Sequence, residues 1–131
     1  MRNKAKIGTL VLVGLLAASA PLLAHHGAAS FDESKTVTVT GTVTEYIWAN
    51  PHVYVKLDAK DDTGKIAHWV VEAQNPISMN AIGWRKDTFK VGDVVSVDVN
   101  QAKNGSPIGS TGGSGPTAPR HRIIINGKQF Q

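Results

Sequence analysis

The chain has no cysteine. This excludes disulfide bonds, thiolate metal sites and a lipid-modified cysteine at a processed N-terminus. Charge is missing from Ile7 to Ala24, and the basic start ahead of that run (Arg2, Lys4, Lys6) contains no twin arginine. There is also no G-x-S-x-G, no phosphate loop, no H-E-x-x-H and no pair of catalytic carboxylates. Ser106, Ser110 and Ser114 lie in a Gly/Ser-rich stretch and make poor nucleophiles. The expectation is a protein that is not an enzyme.

What is present at the start reads as an export signal. A positive beginning, an uncharged run of Leu, Val, Ala, Gly and Ser, and Leu22 and Ala24 before His25 fit a cleaved signal peptide over residues 1–24. The run is short for a membrane span, and Pro21 and the small residues favour cleavage. The expected product is periplasmic, with no membrane span after cleavage. Cleavage removes three of the 14 basic residues and leaves a net charge of +1, so the high pI belongs mostly to the leader. The basic footprint of a nucleic-acid binder is then missing, and no nucleic-acid partner is expected.

Residues 36–47, TVTVTGTVTEYI, alternate strictly. Val37, Val39, Gly41 and Val43 share one face and a row of threonines the other, which is a strand signal. Gly41 predicts a bulge or a sharp bend. Further strands are expected in HVYVKLDA (52–59), KIAHWVVEA (65–73), VGDVVSVDVNQAK (91–103) and RHRIIINGKQF (120–130). DDTG at 61–64 is a hairpin turn, and Asn75-Pro76 opens one short helix. Residues 104–119 are Gly, Ser, Thr and Pro, a flexible loop by composition. The expected fold is all-β: a small five-stranded OB-like barrel with one short helix between strands three and four, a β-sandwich being the alternative. The expected organisation is a signal peptide (1–24), an N-terminal arm (25–35) and the barrel (36–131).

The mature chain resembles a family of small exported bacterial proteins of unknown function. The resemblance rests on His25, His26, Phe31 and Asp32; Gly41 and Val43; Trp48, Asn50, Pro51 and His52; Trp69 and Glu72; Gly83 and Trp84; and Gly92 and Asp93. It spans nearly all of the mature chain, with a longer Gly/Ser-rich loop at 109–115 as a departure. It implies the fold and the exported address, and no activity.

The candidate chemistry is histidine chemistry. If cleavage follows Ala24, the α-amine and Nδ1 of His25 can chelate one metal ion, with His26 or His52 as a third donor. Imidazole and amine nitrogens suit copper(II), the one cofactor the sequence suggests. The competing reading makes His25 and His26 a solvated end. His52 lies in WANPHVYV, where Trp48 and Asn50 would line a site at the barrel mouth. Alternatively, Asn50 caps the turn and His52 bonds to backbone. Glu72 would orient a ligating histidine or stand exposed beside His68 on an outer face. Trp48, Trp69 and Trp84 are expected as core fillers, and Arg120–Arg122 as a solvated edge. Three functions stay open: an exported binding module, copper(II) being its candidate ligand; an envelope structural or interaction protein; and, weakest, an oligonucleotide-binding OB domain.

Overall fold

The computed structural model describes residues 30–112 and 120–131. The expected signal peptide, His25, His26 and residues 113–119 lie outside them. Seven strands and one helix follow in order: β1 (Phe31–Ile47), β2 (Tyr54–Lys60), β3 (Ile66–Glu72), α1 (Pro76–Ala81), β4 (Val94–Ala102), β5 (Ile108–Ser110), β6 (Ile123–Ile125) and β7 (Lys128–Gln129).

The sheet runs β1-β2-β3-β5-β4, and β4 returns to pair with β1. A five-stranded barrel is thereby closed, antiparallel at every seam except β3–β5, which is parallel. With α1 between β3 and β4, this is the OB-like barrel expected from the strand pattern.

The inward set follows the alternation. Val39 and Val43 of β1, Val55 and Leu57 of β2, Val71 of β3, and Val95, Val97 and Val99 of β4 are all buried in one cluster. The threonines of β1 face solvent, and Thr38 and Thr40 bond across to Asp98 and Ser96 of β4 at 2.6 and 2.7 Å. Gly41 is needed because a Cβ there would sit 2.6 Å from the Asp58 carbonyl. The register shift on the β2 side comes two residues later, between Val43 and Glu45.

Two boundaries differ from the sequence reading. β1 begins at Phe31, inside the expected arm 25–35. Phe31 is buried and pairs with Ala102, and the register then shifts before Thr36 meets Asn100. Residues 32–35 read as arm because charge breaks the alternation there, whereas the buried Phe31 holds the strand's start to β4. The barrel's fifth strand is also not the isoleucine-rich 120–130 segment. It is β5, three residues inside the expected flexible loop 104–119. Ile-Gly-Ser has weak strand propensity, and its place is fixed by tertiary contacts instead. Val70 N–H donates to the Pro107 carbonyl and Thr111 N–H to the Glu72 carbonyl. The isoleucine run forms β6, which pairs with the first half of β4 and turns at Asn126-Gly127 into β7.

Gly109 shows why β5 carries the residues it does. A Cβ there would lie 2.5 Å from Val99 Cγ2, and Val99 is fully buried and has no room to yield. Gly109→Ala is expected to cost about 1–3 kcal/mol, the range for overpacking a filled core. Urea unfolding measures it, and an unchanged midpoint would show that β5 and Val99 have room to move apart.

α1 is short but well begun. Pro76 occupies its first turn and the Asn75 side chain accepts the Ser78 N–H at 3.0 Å. Its buried Met79 joins the barrel core, where Trp84 and Phe89 follow. Among the described residues no helix is long and apolar enough to cross a membrane.

Candidate site at the His52 turn

The turn between β1 and β2 meets the end of β3 through backbone bonds. Val53 N–H donates to the Gln74 carbonyl and Ala73 N–H to the Val53 carbonyl, at 3.0 and 2.8 Å. These bonds hold His52 against the last residues of β3. The His52 side chain is 27% exposed, and its Nδ1 lies 2.9 Å from the Ala73 carbonyl oxygen and 3.3 Å from Glu72 Oε1. The sequence reading that His52 bonds to backbone is thus met at Nδ1.

A carbonyl oxygen only accepts, and so does an ionised carboxylate. Nδ1 therefore bears the proton, and in the neutral ring Nε2 carries the lone pair. A backbone carbonyl or carboxylate behind Nδ1 is the usual support for a histidine that binds metal through the opposite nitrogen.

Glu72 is where the outer-face reading fails. By alternation it shares the outward face of β3 with His68, yet the two differ sharply. His68 has a side chain 81% exposed and pairs with Asp58 at 2.6 Å. Glu72 is only 9% exposed. Its neighbours across the sheet are Tyr54 of β2 and Ser110 of β5. Burial, and secondarily the Glu72 charge, push the Tyr54 phenol above its ordinary range. The Tyr54 ring centroid is 6.2 Å from that of His52.

The other expected site residues part company. Asn50 is exposed and precedes Pro51 through a cis peptide. Trp48 is half-buried against the core, 6.1 Å from the Tyr46 ring. Trp69 is likewise half-buried, and Trp84 is fully buried. His25 and His26 lie outside the described residues. Among the described residues no group of three or more His, Asp or Glu side chains is gathered to hold a metal. His52 and Glu72 are a pair, to which a metal site would need further donors.

Sequence reasoning missed the Ala73 carbonyl and Tyr54. Tyr54 was legible as the outward residue two after His52, whereas a backbone acceptor leaves no signal in side-chain identity.

Lys56 pairs with Glu45 at 2.5 Å, and Arg122 lies 3.4 Å from Asp98. His121 is half-buried, and burial lowers its pKa despite the nearby Asp98. Arg120 and Arg122 are exposed, as a solvated edge would be, while Arg122 also reaches Asp98 of β4.

No curated protein matches the chain. Among solved structures it is similar to the mitochondrial single-stranded DNA binding protein Rim1 of S. cerevisiae. The TM-score is 0.44 at 11% identity, covering 70% of this chain and 93% of that one. A likeness at that level says nothing about what this chain binds. The sequence likeness is more extensive: a family profile matches residues 11–111, and the chain belongs to that family, described as a family of unknown function (DUF6152).

Proposed function

We propose that the protein is an exported, non-enzymatic binding module that holds copper(II), with His52 as the barrel's ligand and the processed N-terminus, His25 and His26, as the source of the remaining nitrogens. The observation that carries this reading is the Nδ1–H of His52 directed at the Ala73 carbonyl, which gives Nε2 the lone pair. Imidazole and amine nitrogens match the preference of copper(II) among divalent ions. The chain offers no competing thiolate, since it has no cysteine.

The test is a copper(II) titration of the exported protein beginning at His25. One ion per chain is expected. His52→Ala should weaken binding at least about tenfold, the lower bound seen when support of a metal site is removed. A glycine added ahead of His25 moves the α-amine off its chelate ring and should weaken binding further. Equal affinity in all three proteins would end the copper reading and bring forward an envelope interaction protein. That second reading has one observation in its favour: Ile77 and Val91 are large apolar side chains 81% and 74% exposed. An oligonucleotide reading is weaker because the expected mature chain carries a net charge of only +1.

A further inference from the structure

We infer that a second copy of this chain pairs with the open edge of β1, antiparallel and about a two-fold axis at Val37. The inference is independent of copper and concerns a strand edge that the proposed site does not use.

The edge follows from how β1 is shared. Its 17 residues pair with β4 within 31–42 and with β2 only within 41–47. Val43 N–H donates to the Asp93 carbonyl and Gly92 N–H to the Val43 carbonyl, both at 2.9 Å, so the Val43 backbone faces β4. Backbone direction alternates along a strand, so Val37 and Val39 face β4 too, while Thr36 and Thr38 face the other way. The far side of the seam agrees. Asp98, opposite Thr38, sends its N–H to the Arg122 carbonyl and not back to β1. The N–H and carbonyl groups of Thr36 and Thr38 therefore point to an edge along which, among the described residues, no strand lies. Edges are normally blunted by charge, proline or shortness. β7 is blunted in this way, with two exposed residues, one of them Lys128. Residues 36–40 of β1 are Thr-Val-Thr-Val-Thr, without charge or proline.

Such an edge takes an extended strand, and charge complementarity selects this chain's own. Two copies can bond through these threonines in registers centred on Thr36, Val37 or Thr38. The neighbouring lane is fixed by β2: past the Gly41–Ala59 pair, Lys60 comes level with Thr40 and Asp61 with Val39. A centre at Thr38 brings Lys35 of the second copy level with Gly41, into the place Ala59 holds. A centre at Thr36 brings its Glu33 level with Val39, against the exposed Asp61 and Asp62. A centre at Val37 sets Lys35 there instead, an opposite-charge contact made twice by symmetry. In that register Thr36 faces Thr38 and Val37 faces Val37. Each Thr36 and Thr38 N–H finds a carbonyl on the other copy, and threonine and β-branched pairs of this kind stabilise antiparallel sheets. Val37, only partly buried against the core in one copy, gains cover on its open side.

Sedimentation equilibrium of the metal-free exported protein tests the pairing, and its result does not depend on whether copper binds. A dimer with a Kd on the order of micromolar is expected, since the overlap is short and the interface small. Thr36→Pro removes an N–H that faces the open edge and none that faces β4, a place where a strand tolerates proline. It should leave the fold and abolish the dimer. Lys35→Glu changes an exposed side chain without touching the backbone, so the test stands even where proline disturbs folding. It should weaken the dimer about tenfold, as two exposed ion pairs become repulsions. Adding Asp62→Lys to it should restore most of the loss. A native protein that stays monomeric up to about 1 mM overturns the inference. Amides of Thr36 and Thr38 that resist hydrogen exchange in that monomer would show that the chain covers its own edge. A dimer that Thr36→Pro and Lys35→Glu both leave unchanged overturns it as well, since its contact then lies on another surface.

Discussion

Val97→Asp is expected to leave no folded protein at room temperature. Val97 is 3% exposed, pairs with Val39 of β1 on one side and Ile123 of β6 on the other, and lies in the middle of the barrel core. Both partners are themselves buried, so no rotamer takes a carboxylate at this position to water. The substitution forfeits an apolar side chain and desolvates a polar one, a combination that costs upwards of about 4 kcal/mol. A small domain has about 5–15 kcal/mol in total, and a chain of this size lies towards the lower end. Far-UV circular dichroism and amide dispersion by NMR measure the outcome. The control is Thr36→Asp, on the solvent face of β1 opposite Asn100, expected within about 0.5 kcal/mol of the native protein. Thr38 is not a suitable control, because its hydroxyl donates to Asp98 and an aspartate there would set two carboxylates together. Native-like stability in Val97→Asp would mean that the inward and outward faces of β4 have been exchanged.

Trp84→Ala should destabilise the protein by about 3–5 kcal/mol, the range for deleting a buried aromatic. Trp84 is 1% exposed and sits where three segments meet. Its backbone N–H bonds to the Met79 carbonyl in α1. Its ring packs edge-on against Phe89 at 5.0 Å and lies 6.3 Å from Phe130. Its Nε1–H donates to the Gln131 side chain, which in turn donates to the Ile82 carbonyl at 2.8 Å. Removing the indole therefore opens a cavity and also removes one of the two bonds that hold the Gln131 side chain. The melting temperature should fall by at least about 12 °C, at the 4–8 °C per kcal/mol typical of small domains. Trp84→Phe keeps most of the volume and should recover more than half of the loss. A drop of only a few degrees in Trp84→Ala would show that the helix and the last residues are held by other contacts.

The tryptophans illustrate how far sequence reasoning reaches. All three were expected to fill core, but composition gave no ranking among them. Trp84 follows Gly83, whose positive φ turns the chain out of α1 and back onto the barrel. Trp48 stays half-buried just past the end of β1, and Trp69, although in the middle of β3, is half-buried too. The ranking depends on what each indole packs against once the barrel has closed.

Strand alternation, the Asn75-Pro76 start and the absent cysteine belonged to the sequence alone, because each is a local property. Period two sets which side of a strand is apolar, and an asparagine ahead of a proline caps a helix wherever it lies. These features sufficed for a five-stranded barrel with one short helix. Tertiary structure decided which segment closes it. Ile108–Ser110 looks like loop by every local measure, yet it pairs with β3 and β4 because Gly109 alone can approach Val99 so closely. The same holds at the candidate site. His52 and Glu72 are twenty positions apart, and nothing local couples them. Antiparallel pairing of β2 with β3 brings the turn over the strand's end, buries the carboxylate and sets the His52 ring against the Ala73 carbonyl. Side-chain identity set what each group can donate or accept, and the barrel's closure decided which groups meet.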